Sequence, residues 1–540
     1  MTDLSTTRLL IVDTAGIQDY IFNSNRLREN VGASYLVAAV TGEWALATVR
    51  EIVAEAHNID PDGNLIDRRI EDDSNLRVEV IYAGGGNFAA LFRDEPTAFN
   101  FTRALSKKVL ELAPGLRVFI QHEPYEWGSP LGEAITSLLH GMRLRRGTAA
   151  NVAPLAGLGV TVMCDSTALP AVGHFAVGDD APRAVSAEVA AKNQMATPNG
   201  GQPSAADTRL QESLFMDERY AYPVDFDDLG RTRGDSSFIA VVHADGDGVG
   251  NYIQGFAKEG DPRTYILKMR QFSQNLQAAS REALRGTIAE VVSRIKWDSE
   301  RKTYGISHPD PKITLRFELV ERDGVTYLPI RPIVFGGDDV AFVCDARLGL
   351  ALTVDYARRF QEETKALGFG ENGSGLSACA GVAMVKTRYP FARAYALADD
   401  LCGEAKKYRE QKQIAGGCLH WHFALGGVYG DWDTIREREY TAQTGDSLTL
   451  RPVALNGEGY ASWEFIEPQI ALFQTGDWLE RRNKAKALRD ALRAGAEAEQ
   501  WFYRQYEIKP PNKFGWQNNV CIHFDALELM DMMIPLEAKS

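Results

Sequence analysis

Two aspartates follow two glycines at Gly336-Gly337-Asp338-Asp339, between the apolar runs Ile330 to Phe335 and Val340 to Val343, and a third, Asp245, ends the apolar run Phe238 to Ala244. A turn between two strands puts both carboxylates at the tip of a sheet, and the glycines permit a tight turn and close approach of a phosphate. With the Phe238 to Ala244 strand beside that hairpin, Asp245 converges with Asp338 and Asp339. Oxygen donors without His or Cys suit hard divalent cations, Mg²⁺ or Mn²⁺, which share their coordination with substrate phosphates. Such a site does phosphoryl or nucleotidyl transfer. One ion lowers the pKa of an attacking hydroxyl while another neutralises charge on the α-phosphate and the leaving pyrophosphate. In the helical stretch Ala394 to Lys407, Leu397, Leu401 and Ala405 form an apolar stripe and Lys406 points off it, where it can reach a triphosphate as a point charge.

The elements that must position these groups occur twice. The first set is Leu9 to Asp13 as a strand ending in a carboxylate, a helical stretch Tyr20 to Val40, a strand Val78 to Ala83, the turn Gly84-Gly85-Gly86-Asn87 and a return strand Phe88 to Phe92. The second set is Phe238 to Asp245, a helix Tyr265 to Trp297, and the strand, Gly-Gly-Asp-Asp turn and strand already described. In each a further helix (Phe99 to Leu112; Leu350 to Leu367) precedes a further strand (Arg117 to Gln121; Leu376 to Val385). The expectation is an α+β chain with two ferredoxin-like βαββαβ domains, helices packed on one face of each sheet.

The linker signal Thr197-Pro198-Asn199-Gly200-Gly201-Gln202-Pro203-Ser204 separates the copies. The spans expected are a first domain at 1–185, a connector at 186–236, a second domain at 237–428 and a mostly helical C-terminal region at 429–540. In that last region a charged helix, Asp477 to Tyr506, carries Arg481, Arg482, Lys484, Lys486, Arg489 and Arg493, read as a solvated face or as a surface for RNA or a partner.

Composition limits the classes. A chain of 540 residues, 45% hydrophobic and 24% charged, is neither disordered nor fibrous. It has no uncharged run of the ~18 residues that a membrane span needs and no signal-peptide pattern, so a cytoplasmic location is expected. The formal net charge of −14 argues against coating bare nucleic acid by charge alone. Six scattered cysteines without a Cys-x-x-Cys pair read as buried, reduced thiols.

The segment Val242-His243-Ala244-Asp245-Gly246-Asp247-Gly248-Val249-Gly250, the Gly336 to Asp339 turn and Glu404-Ala405-Lys406 resemble the palm of the GGDEF and nucleotide cyclase superfamily. The doubled arrangement is similar to something narrower, the large polymerase-like subunit of type III CRISPR-Cas effector complexes. Asp13-Thr14-Ala15-Gly16-Ile17-Gln18-Asp19-Tyr20-Ile21-Phe22, with Arg26-Leu27-Arg28 and Gly32-Ala33-Ser34-Tyr35-Leu36, resembles that family's first palm. Cys164 to Ala171 and Ser186-Ala187-Glu188 resemble its inter-palm region. The resemblance implies a cyclic oligoadenylate synthase, in which two ATP molecules face each other across two palms and a 3′-hydroxyl attacks an α-phosphate, for antiviral defence. It implies Asp245, Asp338 and Asp339 as catalytic metal ligands, with the Gly246 carbonyl as a further ligand. It implies nucleotide contacts at Gly246, Asp247, Gly336, Gly337, Lys406, Asp13 and Ser34. Partners implied are nucleotides, and RNA or effector subunits; the oligomeric state stays open.

Several departures qualify this. Nowhere does Asp follow His directly, so the HD nuclease of many relatives is expected to be absent, as are their inter-palm zinc cysteines. In the first repeat Gly86 and Asn87 replace the turn carboxylates, and a neutral amide cannot substitute for an anionic ligand; that palm is expected to bind a nucleotide without activating it. His420 and His422 flank Trp421 and share a strand face, compatible with metal binding or with alternating strand polarity. Arg143, Arg145 and Arg146 suit phosphate or RNA, or a solvated helix end. Two other functions compete: a non-catalytic scaffold of a CRISPR-type ribonucleoprotein, and a diguanylate cyclase-like enzyme using GTP. The Asp338-Asp339 pair favours an enzyme, since crowded carboxylates repel without a cation.

Overall fold

The computed structural model describes residues 4, 6–148, 159–176, 181–199, 201–214, 217, 219–230, 237–322, 324–370, 373–424, 432–511 and 514–536, without the side chains of residues 147, 148 and 477. Gly200 of the linker signal, the end of the connector at 231–236 and the boundary expected at 428/429 lie outside the described residues. Two compact units are present, Met1–Ser213 with Gly248–Ala278, and Leu214–Asp247 with Ala279–Ser540.

Unit 1 opens with β1 (Arg8–Ala15), α1 (Ile17–Phe22), α2 (Leu27–Thr41) and α3 (Glu43–Val53), followed by β2 (Val78–Gly84), β3 (Asn87–Phe92), α4 (Glu95–Leu112) and β4 (Arg117–Pro124). The sheet order β2-β3-β1-β4 is that of a ferredoxin-like fold, all antiparallel. β1 lies at its centre, and Leu9, Leu10, Ile11 and Val12 are all buried. Asp94 caps α4 by accepting the Thr97 N–H at 2.9 Å. The unit continues with α5 (Leu131–Thr148), the hairpin β5 (Gly173–Phe175) and β6 (Arg183–Val185), α6 (Ala187–Met195) and α7 (Ala205–Ser213). Gly32 of α2 lets α6 approach: a Cβ there would lie 1.8 Å from the Lys192 carbonyl oxygen. The single helix expected from Tyr20 to Val40 is instead broken between α1 and α2. The Ser24 hydroxyl accepts the Arg26 N–H and donates to Glu29, and its carbonyl accepts from the Asn30 amide, so local side-chain bonds replace helical ones.

The residues after Asp247, α8 (Val249–Ala257) and the first half of α9 (Pro262–Arg294), lie within the span expected for the second palm but group with unit 1. The reason is ionic as well as apolar. Arg263 bonds Glu71 and the fully buried Glu79, and Arg270 reaches Glu79 at 3.2 Å, while Tyr265, Ile266 and Met269 join the core formed by Leu9, Ile11 and Leu91. α9 ends before Trp297, which belongs to a strand and not to the helix as expected.

Unit 2 contains β7 (Tyr220–Ala221), β8 (Phe238–Gly246), a three-stranded sheet of β9 (Lys296–Asp298), β10 (Thr303–Ser307) and β11 (Arg316–Glu318), and β12 (Glu321–Arg322) and β13 (Val325–Tyr327) beside β7. Its main sheet adds β14 (Ile330–Val334), β15 (Asp339–Asp345), α10 (Ala346–Ala366), β16 (Ala378–Lys386), α11 (Phe391–Lys412) and β17 (Cys418–Ala424). After α12 (Trp432–Glu439) comes β18 (Val453–Ala454), and the order is β14-β15-β8-β16-β17-β18. The first four repeat the ferredoxin-like order; β17 joins parallel to β16 and enlarges the sheet. Every residue of β17 is buried, so full burial, not alternating polarity, explains His420 and His422. Their rings pack on Trp432 at 4.2 and 6.0 Å, and burial pushes both well toward the neutral form.

The C-terminal helices are α13 (Trp463–Gln474), α14 (Arg482–Ala494), α15 (Ala496–Tyr506) and α16 (Phe524–Leu529). One helix was expected over Asp477 to Tyr506; Gly495, at φ 108°, splits it. Several of its basic residues are satisfied internally: Arg482 pairs with Asp531 at 3.0 Å, Arg493 donates to the Glu439 carbonyl, and Lys484 lies 3.4 Å from the Tyr506 ring centroid. Among the described residues no helix is long and apolar enough to cross a membrane.

Candidate functional site

β8 and β15 run antiparallel with Asp245 directly opposite Asp339, so the end of one strand and the start of the other bring the carboxylates together. Asp339 is the first residue of β15, not part of the preceding turn. Gly336, at φ 96°, begins the turn with open space around it, and Gly337 follows. The Gly246 N–H donates to the Asp338 carbonyl at 3.1 Å, which ties the turn to β8. A Cβ on Gly246 would meet the Asp338 Cβ at 3.1 Å, so the close strand approach favours glycine there.

The charges are unbalanced. Burial, followed by the Asp339 and Asp245 charges, pushes Asp338 up to about 6. Burial and Asp339 raise Asp245 as well, although Lys406 forms an ion pair with it. At Asp339 burial acts in the same direction, but His243 and Lys406 outweigh it and hold that carboxylate below its usual range. The Asp339 side chain is 57% exposed, so solvent screens these effects. Burial works against the Lys406 ammonium, yet Asp245 more than offsets it and keeps the lysine charged.

Three carboxylates, one of them raised to about 6 by burial and then by its two neighbours, offer the oxygen donors and the charge surplus that a hard divalent cation would offset. Among the described residues no three His, Cys, Asp or Glu side chains form a ready-made metal cluster. Asp245 faces Lys406, and Asp339 faces His243. By donor chemistry the residues fit Mg²⁺ or Mn²⁺.

The other candidates fall in different places. Asp247 turns away from the carboxylates: it accepts the Ser377 hydroxyl at 2.8 Å and meets Arg409 at 3.3 Å, a buried anchor between β8, β16 and α11. Asp13 lies in unit 1 opposite Asn87, the same cross-strand position that Asp245 and Asp339 occupy in unit 2, and Arg146 of α5 forms an ion pair with it. Arg146 therefore serves a carboxylate, as Lys406 does. Ser34 is buried on α2.

Two participants were missed. His243 lies two residues before Asp245 on β8 and is 7% exposed; its Nδ1 is 2.9 Å from Asp399 Oδ1 and its Nε2 is 3.8 Å from Asp339 Oδ1. Burial opposes its protonation, but the Asp339 and Asp399 carboxylates prevail and raise it to about 9. A polar residue at the same strand parity as Asp245 was the available signal. Asp399, seven residues before Lys406, is the second. His243, Asp245, Asp399, Glu404, Lys406 and Trp432 help to line a cleft of about 370 Å³.

Residues 238–415 match the Cas10/Cmr2 second palm domain family. That span is a Cas10-type palm domain. The matched span holds the Asp245, Asp338 and Asp339 carboxylates, His243 and Lys406. The fold likeness extends further. The structure of a Csm1–Csm4 cassette in complex with one ATP is 14% identical with a TM-score of 0.52, and that of the cassette in complex with cA3 is 14% identical with a TM-score of 0.51. Each likeness covers 98% of this chain and 70% of the other. No curated protein matches the chain. The span 238–415 is thus the part in which sequence family and site geometry coincide.

Proposed function

We propose that this chain is a metal-dependent nucleotidyltransferase that joins ATP into cyclic oligoadenylates, releasing pyrophosphate, as the palm subunit of a CRISPR effector complex serving antiviral defence. The observation that carries the reading is the crowding of Asp245, Asp338 and Asp339 at adjacent strand ends of a Cas10/Cmr2 second palm, with Asp338 raised to about 6 by burial and then by the other two carboxylates. ATP and cA3, held by the Csm1–Csm4 cassettes of like fold, are carried over as part of the proposal.

In this mechanism Asp245, Asp338, Asp339 and the Gly246 carbonyl would hold Mg²⁺ or Mn²⁺, which would supply activation of the attacking 3′-hydroxyl and charge neutralisation at the α-phosphate. Gly336 and Gly337 leave open space for a phosphate to approach the turn. Lys406 balances Asp245 until a triphosphate arrives, then offers its ammonium to the phosphate oxygens. Asp247 acts indirectly, by fixing the end of β8 against Ser377 and Arg409. Asp13 and Ser34 belong to a first palm that binds nucleotide; with Asn87 opposite Asp13, that palm lacks the second carboxylate.

Purified protein given each labelled nucleotide with Mg²⁺ or Mn²⁺ should convert ATP to pyrophosphate and oligoadenylates. Only one palm carries the paired carboxylates, so bonds form one at a time and linear species precede rings in time-resolved mass spectrometry. Turnover of GTP but not ATP, or a cyclic dinucleotide alone, would sink the oligoadenylate reading in favour of a diguanylate cyclase. No turnover under any condition leaves the scaffold.

The two neighbouring lysines separate a site role from a surface one. Lys406→Ala should lower kcat/KM for ATP by roughly tenfold to a hundredfold, the scale for losing one hydrogen bond to a charged group, about 1.5–3 kcal/mol. Lys407, 68% exposed and paired with Glu404, should matter much less when changed to Ala. Equal losses in the two variants mean that α11 turns a different face to the nucleotide.

A further inference from the structure

This inference rests on the nucleotidyltransferase reading and deepens it. We propose that His243 and Asp399 are positioning residues for the divalent cation, a chain of contacts in which Asp399 orients the His243 ring and His243 holds the Asp339 carboxylate in the orientation that its ligand role needs.

The geometry is built into three elements. His243 and Asp245 are two apart on β8 and share a face. Asp399 and Lys406 are two helical turns apart on α11 and share the face that meets them, so Asp399 reaches His243 where Lys406 reaches Asp245. The helix can come this close only because the cross-strand neighbour of His243 on β16 is Gly381. A Cβ at Gly381 would lie 2.0 Å from the Ala398 carbonyl oxygen and 2.5 Å from the Cys402 nitrogen. On the other side, β15 places Ala341 opposite His243, and the two small residues leave room for the imidazole. The Tyr395 ring, 5.6 Å away, bounds it from α11.

The contacts themselves are unequal. Nδ1 sits 2.9 Å from Asp399 Oδ1, the shorter link, as an ion-pair contact without the alignment of a hydrogen bond. Nε2 sits 3.8 Å from Asp339 Oδ1, in ion-pair range, on the carboxylate that lies directly across the strands from Asp245. A buried imidazole placed between two carboxylates is a costly feature for a strand interior unless the charges are used. Outer-shell partners of this kind orient ligating groups, and their loss typically weakens metal affinity by about 10–100-fold.

The test is a Mn²⁺ titration of the full chain without nucleotide, read by electron paramagnetic resonance, on wild type, His243→Asn, His243→Gln, Asp399→Asn and Asp339→Ala. A glutamine amide nitrogen can occupy the place of Nε2 and keep the donor toward Asp339, whereas an asparagine nitrogen occupies the place of Nδ1 and loses it. Positioning predicts that His243→Asn binds Mn²⁺ about 10–100-fold more weakly, and that His243→Gln recovers most of the affinity. Asp399→Asn, which changes a partly exposed side chain and keeps its shape, should fall between them with an unchanged unfolding midpoint. In ATP turnover the half-saturating Mn²⁺ concentration should rise while kcat at saturating Mn²⁺ changes little. His243→Asn and Asp399→Asn binding Mn²⁺ like wild type, with ATP still consumed, overturns the positioning role alone. Wild type that binds Mn²⁺ through Asp339 but consumes no nucleotide overturns the enzymatic reading, and the variant series still decides the positioning role.

Discussion

Asp338→Ala and Asp339→Ala should each reduce ATP consumption by roughly a hundredfold or more, the scale on which a preorganised charge contact acts in a transition state. Neither change should disturb the fold. Asp338 lies in a turn whose structural bond comes from its own backbone carbonyl, which accepts the Gly246 N–H and survives substitution. Asp339 begins β15 with its side chain 57% exposed, and its strand pairing is a backbone matter. The measurement is pyrophosphate release at saturating Mg²⁺, with circular dichroism to check the fold. Activity within a few fold of wild type in both variants would remove the basis for assigning the site to these carboxylates.

Why could the carboxylates be placed from sequence when their supports could not? Two short apolar runs around Gly336-Gly337-Asp338-Asp339 specify a hairpin through local preference alone, and a third apolar run ending in Asp245 repeats a pattern already seen at Asp13. The β2-β3-β1-β4 order then follows from few topological options, and both sheets adopt it. The addition of β17 and β18 to the second sheet depends on tertiary pairing that no period announces. The break between α1 and α2 depends on side-chain bonds from Ser24, and the one between α14 and α15 on a single glycine at positive φ.

The His243–Asp399 contact was hidden for a different reason. The two residues are far apart in sequence and meet only because Gly381 lets α11 press on β16. Read alone, Gly381 is an unremarkable strand residue. The same limit explains Asp247, which the family resemblance offered as a nucleotide contact while Ser377, Cys379 and Arg409, all remote in sequence, enclose it. Residues that present charge at a turn are visible in a local pattern; residues that hold those charges in place are specified by packing between distant elements.

The same crowding that suits the carboxylates to a cation should make the cation-free protein less stable than it could be. Asp338→Asn keeps the shape of the side chain and removes one of three converging charges. The folded-state carboxyl is raised to about 6 from 3.8, by burial first and then by Asp339 and Asp245, so the folded chain binds this proton more tightly than the unfolded chain does. Stability therefore falls as pH rises from about 4 to about 6, and the deficit is fully present above that window. A shift of this size corresponds to an upper bound of about 3 kcal/mol, and partial solvation of the turn brings the expectation to roughly 1–2 kcal/mol. In chelator at pH 8, Asp338→Asn should unfold at a higher midpoint than wild type, and the gap should close near pH 4.5, where the folded wild type already carries the proton. Added Mg²⁺ or Mn²⁺ should raise the wild-type midpoint more than that of the variant, because the cation offsets a repulsion that the variant no longer has. The variant should meanwhile be nearly inactive, gaining stability by giving up the charge that the chemistry uses. A variant no more stable than wild type at pH 8 in chelator would mean that Asp338 stores no repulsion, and the case for a cation at this turn would lose its electrostatic support.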